Sequence, residues 1–271
     1  MNGPLFDFRL RPLDEIQPWG APEDPNLHWF GLSDGCYWLN VGEQRLLEYS
    51  TQLQAEFGFP RCCDYQVVRL HEDVLDMLPE VLTPAPPELR EFAERGREYL
   101  DAWASPPESE AEWARLDHAL TWLDRRTLSS RYLSPGARIW MWSDEPEVHV
   151  QWDNRGINVH GVPAWSARCG SFSLSRADFV AEAKRFHERF MQQMAERVRD
   201  LLATGAPPRI RIDLDGLERE QRRRETLSEL NFQPFEPTTP WSTVITAVQE
   251  LEARRTAALR PSSSTMVVTR T

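Results

Sequence analysis

The sequence predicts an α+β protein in which antiparallel strands, near residues 5–41 and 137–167, pack against several amphipathic helices. Three observations support this class: short runs of alternating apolar residues, turn sequences between the runs, and apolar stripes with helical spacing. The longest helix is predicted over residues 175–204. With 41% hydrophobic and 27% charged residues, the composition is that of a globular protein with a substantial core.

The N-terminal segment is predicted to contain a hairpin. Phe6–Leu10 alternates like a strand, and the aromatic-rich runs Leu27–Leu32 and Cys36–Val41 flank an Asp-Gly pair at Asp34. Such a pair between two apolar runs is a strong hairpin signal. We therefore expect the two flanking runs to be paired strands.

The middle of the chain is predicted to be helical. Residues 64–82 place apolar side chains on one stripe until Pro79 interrupts it, and a proline-rich joint follows. Residues 88–103 and 109–123 have the pattern of two further amphipathic helices. A helical insert over 64–125 is therefore expected.

Three extended segments follow, at Ala137–Trp142, Glu147–Trp152 and Ile157–Ala167. Polar turns separate them, so an antiparallel meander is predicted. We expect this meander to join the N-terminal hairpin in one sheet, because isolated hairpins are marginally stable in water.

The long helix is defined by its start, its buried face and its end. Ser175 is a suitable N-cap with Asp178 three positions later, and Gly205 ends the helix. The apolar residues between them recur at steps of three or four and are Phe179, Ala183, Phe186, Phe190, Met194, Val198 and Leu201.

Two more helices are predicted after it, over residues 215–230 and 241–259, before a polar tail that begins at Pro261. Residues 1–232 are accordingly predicted as a single α+β domain that contains the insert, the meander and the long helix. Residues 233–271 are predicted as a C-terminal helix and a disordered tail.

The formal net charge of −11 disfavours nucleic acid as a partner, because binding to phosphates normally requires clustered cations. No stretch approaches the length of a membrane span, and no leader pattern opens the sequence, so a cytoplasmic protein without a membrane partner is expected. The four cysteines lack zinc-site spacing and are expected to be reduced. The sequence has no recognisable catalytic signature and implies no metal or cofactor.

Seven residues are candidates for a binding site. His149, Asp153 and His160 lie on neighbouring predicted strands, and imidazole with carboxylate is the usual combination for acid–base or metal chemistry. Surface histidines on strands are the simpler interpretation. Asp34 is equally explained by a turn. The aromatic candidates, Trp29, Trp38 and Trp142, fit either a two-sheet core or an exposed recognition surface.

Several motifs resemble a bacterial family of unknown function. They are Phe8–Leu13, Pro18–Gly20, Leu27–Trp38, Val150–Asn154 and the helical stretch Phe179–Val198. The resemblance covers about residues 5–205 and implies no known activity. In general type, an acidic, aromatic-rich α+β protein, the chain is similar to immunity proteins of bacterial toxin systems.

Two functional hypotheses follow. The first is a non-enzymatic, immunity-type protein that binds a basic toxin or effector through an acidic surface. The alternative is a small-molecule-binding or hydrolytic enzyme with His149, Asp153 and His160 in a pocket. The sequence does not indicate an oligomeric state.

Overall fold

The computed structural model describes residues 3–101, 109–205, 209–226, 229–235, 237 and 239–258. Contacts between Cα atoms divide the chain into two units. Met1–Pro84 and Arg126–Glu236 form the main unit, and Ala85–Arg125 and Pro237–Thr271 form the helical unit. The helices of the insert after residue 84 are thus grouped with the C-terminal segment. The boundary predicted from the sequence lay between residues 232 and 233.

The elements of the two units confirm the predicted α+β class. The strands are β1 (Phe6–Leu10), β2 (Gly35–Val41), β3 (Gln44–Leu46), β4 (Cys63–Asp64), β5 (Ile139–Ser143), β6 (Glu147–Asp153), β7 (Asn158–Val159), β8 (Val162–Pro163) and β9 (Cys169–Ser175). The α-helices are α1 (Trp29–Leu32), α2 (Thr51–Phe57), α3 (Val67–Leu82), α4 (Arg90–Asp101), α5 (Glu110–Asp124), α6 (Arg176–Thr204), α7 (Leu214–Glu225) and α8 (Trp241–Ala258). The predicted polar tail lies outside the described residues.

The first sheet is antiparallel and has β2 at its centre, paired with β1, β3 and β4. The predicted hairpin between Leu27–Leu32 and Cys36–Val41 is wrong. Trp29–Leu32 is the short helix α1, whose N-cap His28 accepts a hydrogen bond from Gly31. The partner of β2 is β1, which comes much earlier in the chain.

Gly35 is not part of a hairpin turn, although the Asp-Gly pair predicted one. A Cβ atom at this position would lie 2.3 Å from the carbonyl oxygen of Arg9 and 2.9 Å from the Cα of Leu10. The glycine is therefore required by the close approach of the β1 backbone, and no hairpin turn is formed there.

The second sheet is also antiparallel, in the order β5-β6-β9. Its third strand is β9, so the predicted third strand over Ile157–Ala167 is wrong. That segment folds back on itself as the small hairpin β7-β8, because His160 and Gly161 take positive φ angles of 50° and 82°. The strand β9 was missed because serine and glycine weaken its apolar pattern.

The two sheets do not join through hydrogen bonds, contrary to the single sheet that was expected. They are connected by helices instead, since α6 packs on β1 of the first sheet and on β6 and β9 of the second. The helix α3 likewise contacts β2 and β5. It continues through Pro79 to Leu82, beyond the interruption that the sequence predicted.

The contact between α6 and β1 is made of phenylalanine rings. Phe6 and Phe8 each lie 5.7 Å, between ring centroids, from Phe186. Phe8 also meets Phe190 edge to face at 5.7 Å. All four rings are buried, and edge-to-face pairs are a favoured geometry for aromatic side chains.

In the helical unit, α5 packs against α8. Leu116 and Ala119 of α5 are buried, as are Val244 and Leu251 of α8. At its edge the carboxylate of Glu250 accepts hydrogen bonds from the guanidinium of Arg115, at 3.2 Å.

In the described part of the chain, no helix combines the length and the hydropathy needed to cross a bilayer.

We expect Phe186→Ala to lower the free energy of unfolding by about 3–5 kcal/mol, because it leaves a cavity where the helix meets β1. Urea unfolding followed by tryptophan fluorescence measures this loss. Glu188→Ala, an exposed position on the same helix, is the control and should change stability by less than about 0.5 kcal/mol. Equal effects of the two substitutions would contradict the packing described.

A buried carboxyl on α3 provides a second test. Tyr132 donates a hydrogen bond to Asp73 at 2.7 Å. Burial raises the pKa of Asp73 from 3.8 to about 6, although the bond from Tyr132 opposes the shift. Between these pKa values the folded protein holds a proton that the unfolded chain has lost. The contribution of Asp73 to stability therefore falls as the pH rises through this window.

Asp73→Asn removes that cost while it keeps an acceptor for Tyr132. We expect the variant to gain about 1 kcal/mol relative to the natural protein at about pH 7.5, with the figure reduced for partial solvent screening. The gain should disappear near pH 4, where Asp73 is protonated in the folded state. Urea unfolding of both proteins at the two pH values tests this, and a pH-independent difference would contradict it.

Candidate functional site

Two of the sequence-predicted residues, Trp142 and His149, meet in the second sheet. They are cross-strand partners on β5 and β6, and their ring centroids lie 4.3 Å apart. On the other side of β6, the Nδ1 atom of His149 is 2.8 Å from the hydroxyl oxygen of Ser173 on β9. The Nε2 atom lies 3.3 Å from the carboxylate of Asp144. His149 is thus surrounded by an indole, a hydroxyl and a carboxylate.

The turn between β5 and β6 supplies that carboxylate. The backbone amide of Asp144 donates to the carbonyl of Glu147 at 3.1 Å, and the amide of Glu147 donates back to the Asp144 carboxylate at 3.1 Å. The amide of Arg176 donates to the carbonyl of Pro146, which brings the first turn of α6 beside this turn. Neither Asp144 nor Ser173 was identified from the sequence, because their proximity to His149 depends on strand register.

Four acidic residues lie in this turn, at the start of β6 or in the first turn of α6. We call Asp144, Glu145, Glu147 and Asp178 the carboxylate corner. Glu145, Glu147 and Asp178 are exposed, and no ion pair joins them to a cation in the ranges that the structure describes. Arg176, the nearest cation in the sequence, donates to the carbonyl of Leu82 at 2.6 Å rather than to one of these carboxylates. Three of the four carboxylates of the corner therefore lack an ion pair within the described residues.

The other two members of the predicted His/Asp set lie elsewhere. Asp153 is at the far end of β6, roughly 13 Å along the strand from His149, and accepts two hydrogen bonds from the guanidinium of Arg155. His160 lies in the β7-β8 turn, stacked on Phe57 at 5.1 Å. Within the described residues, no three His, Cys, Asp or Glu side chains are arranged to hold a metal ion.

Trp29 lies between helices. It is 3% exposed, its Nε1 donates to Gln221 of α7 at 2.8 Å, and its ring meets Phe190 of α6. The guanidinium of Arg224 covers the ring at 4.5 Å. These contacts make Trp29 part of the packing of α1, α6 and α7.

Trp38 lies on β2, the central strand of the first sheet, and Asp34 immediately precedes that strand. Asp34 accepts a hydrogen bond from the guanidinium of Arg11 at 2.8 Å, and the same guanidinium reaches Asp64 at 2.6 Å. The ring of Trp38 is covered by Arg45 at 4.8 Å.

The tryptophans of the sheets belong mainly to the core. Trp140, Trp142, Trp152 and Trp165 are each 7% exposed or less, whereas Trp19 is 43% exposed. Of the two interpretations that the sequence left open, a core of two sheets therefore accounts for most of these side chains.

Clefts of different volume open on the main unit. The first, of about 600 Å³, lies between the β2-β3 turn and the segment before β9 and includes Arg45 and Arg168. Another, of about 270 Å³, lies between α1 and α7. The third has a volume of about 440 Å³ and is lined by Arg9, Cys36 and Cys62 together with Leu10, Arg11, Pro12, Glu15, Gly35, Pro60, Arg61 and Asp64.

A buried histidine pair joins α3 to α6. The Nε2 atom of His71 lies 2.9 Å from Nδ1 of His187. Burial lowers the pKa of His71 to about 3, so the ring is neutral under ordinary conditions. Its surroundings are aromatic, with Phe190 at 4.9 Å between ring centroids.

The family model for the family of unknown function DUF5984 matches residues 5–247. Because this match spans most of the 271 residues, the chain belongs to that family. The match also extends past residue 205, where the motif-based resemblance ended. No curated protein and no solved structure matches the chain.

Proposed function

Within a family whose function is unknown, we propose that this chain is a non-enzymatic binding protein of the bacterial cytoplasm. In this proposal it is of immunity type and holds a basic protein partner. The observation that carries the proposal is the carboxylate corner, in which three exposed carboxylates lack a cation within the described chain. A partner that supplies lysine or arginine side chains satisfies them.

The net charge of the whole chain also favours a basic protein partner. A formal net charge of −11 attracts a basic protein over distances up to about a Debye length, roughly 8–10 Å at physiological salt. Such attraction increases the rate of encounter, while close pairing at the corner sets the orientation of the partner. Because these charges are exposed, binding should weaken when salt screens them.

The surface beside the corner suits side chains with long apolar stems. His149 and Ser173 lie next to the carboxylates and offer ring and hydroxyl groups. An arginine of the partner can place its planar guanidinium against one carboxylate in bidentate fashion. Its stem can then rest on the neighbouring strands.

We expect the protein, when immobilised, to retain a basic protein from its native cytosol, and the double substitution Glu145→Lys with Glu147→Lys to reduce retention at least about tenfold. The matched control is Asp14→Lys with Glu23→Lys, which changes the net charge equally at exposed positions. Mass spectrometry identifies and quantifies the retained protein, at about 0.15 M and about 0.5 M salt.

Equal retention by the two double variants would show that only the net charge matters. It would contradict the assignment of partner binding to the carboxylate corner. Retention that does not decrease at high salt would contradict a basic partner held by exposed carboxylates.

A second candidate function, hydrolysis by an activated serine, is favoured by one observation. Ser173, His149 and Asp144 are the residue types of a serine–histidine–aspartate set. Ser173 is within hydrogen-bond distance of Nδ1 of His149, and the carboxylate of Asp144 lies 3.3 Å from Nε2. This candidate requires a fluorophosphonate probe to label Ser173 and His149→Gln to abolish the labelling. Labelling of neither Ser173 nor any other serine, in a protein that still retains its partner, would remove it in favour of the binding function.

A further inference from the structure

The cleft of about 440 Å³ beside β1 contains two cysteines, and we call it the thiol cleft. Cys36 lies on the central strand β2, with Arg9 of β1 as its cross-strand partner on one side and Asp64 of β4 on the other. Cys62 comes two residues before Asp64, so it lies on the same side of the sheet as Cys36, in the diagonal position.

The two thiols line the same cleft. The guanidinium of Arg9 donates a hydrogen bond to the sulfur of Cys36, with 3.7 Å between Nη2 and Sγ. Cys36 is only 9% exposed, and the thiol cleft connects it to solvent.

Arg9 of β1 differs from Arg11, which follows the same strand. The guanidinium of Arg11 is bound by the carboxylates of Asp34 and Asp64. Arg9 is exposed, and within the described chain its hydrogen bond goes to the sulfur of Cys36 rather than to a carboxylate. A cation without a carboxylate partner next to a sulfur atom stabilises negative charge on that sulfur.

The electrostatics agree with this geometry. The hydrogen bond from Cys62, followed by the positive charge of Arg9, lowers the pKa of Cys36 below that of an ordinary thiol, although burial opposes the shift. The pKa of Cys62 is raised, because its proton is held in the bond to Cys36. Cys36 is therefore the better nucleophile, and Cys62 keeps its proton.

We infer that Cys36 and Cys62 form an oxidisable dithiol, in which Cys36 reacts with a hydroperoxide and Cys62 resolves the product into a reversible disulfide. This is a modification site in the first sheet and does not depend on the proposed partner.

The chemistry is balanced as follows. The Cys36 thiolate attacks one oxygen of hydrogen peroxide, which breaks the O–O bond and releases hydroxide, and Cys36 becomes a sulfenic acid. Cys62 then attacks that sulfur, the S–S bond forms, and the sulfenic oxygen leaves as water after it takes up a proton. Two thiols and one peroxide thus become one disulfide and two waters. A small thiol reverses the oxidation by exchange.

Closure requires a small movement of the chain. Diagonal neighbours on paired strands are about 7–8 Å apart at Cα, whereas most disulfides span less than about 7 Å. Cys62 precedes the two-residue strand β4, so oxidation draws the short segment around Pro60–Cys62 towards β2.

The other two cysteines are internal comparisons. Cys63 is fully buried, its Sγ donates to the carbonyl of Tyr37 at 3.6 Å, and burial raises its pKa to about 12. Cys169 is exposed at the start of β9. Accessibility alone therefore favours oxidation of Cys169, whereas the geometry of the thiol cleft favours Cys36.

The test treats the full chain with limiting hydrogen peroxide, blocks the remaining thiols and maps the peptides by mass spectrometry. We expect a peptide pair linked through Cys36 and Cys62 that disappears on reduction. In Cys62→Ser we expect a sulfenic acid at Cys36, trapped by dimedone. Arg9→Gln should slow alkylation of Cys36 by iodoacetamide about tenfold at about pH 6.5. Cys169→Ser should leave all three results unchanged.

The inference would be overturned by any of several outcomes. They are oxidation of Cys169 before Cys36, a disulfide that links Cys62 to Cys63 or joins two chains, and unchanged alkylation of Cys36 in Arg9→Gln. Circular dichroism of each variant shows that it is folded. The same peptide map on Cys36→Ser should show no oxidation of Cys62, and oxidation of Cys62 there would equally contradict the assignment of Cys36 as the attacking thiol.

Discussion

The aromatic contact between β1 and α6 is the constraint on which the rest of the main unit depends. The two sheets share no hydrogen bonds, so their relation is set by the helices that touch both. Phe6 and Phe8 meet rings of α6, and the polar groups beside them are also satisfied by this helix. The amide of Leu5 donates to the buried carboxylate of Glu182, and Arg189 donates to the carbonyl of Phe6. These hydrogen bonds satisfy backbone groups that the packed rings would otherwise leave buried without partners.

The thiol cleft follows from the central position of β2. This strand is paired on both sides, so the side chain of Cys36 lies between those of β1 and β4. Gly35, next to it, allows the backbone of β1 to approach without a clash. A cysteine with the same neighbours in sequence, placed on an edge strand, would have met either the guanidinium of Arg9 or the thiol of Cys62, but not both.

The carboxylate corner depends on a different part of the fold. Register in the second sheet places Trp142, His149 and Ser173 side by side, and the first turn of α6 closes the group. The corner and the thiol cleft therefore lie on separate sheets. For a chain whose family has no known function, this separation means that a defect in one feature can be distinguished from a defect in the other.

Much of the helical structure could be predicted from the sequence, because caps and apolar periodicity are local. The helix α6 begins at its predicted cap, Ser175, and buries the predicted stripe. Strand pairing was harder to predict from the sequence than the helices were. The Asp-Gly pair at Asp34 has the sequence of a hairpin turn, yet the partner of β2 is β1, and the positive φ of His160 turned an expected strand into a small hairpin.

In the candidate sites, too, some features were determined by the sequence and others only by the tertiary structure. The sequence by itself determined the residue types, the acidic balance and the choice of Trp142 and His149 as residues of interest. Only the tertiary structure decided that Asp144 and Ser173 join His149 and that Asp153 and His160 do not. It also decided that Cys36 meets Arg9 and lines one cleft with Cys62. The physical reason is that side chains meet across strands according to register, and register between distant segments is decided by which surfaces can be buried together.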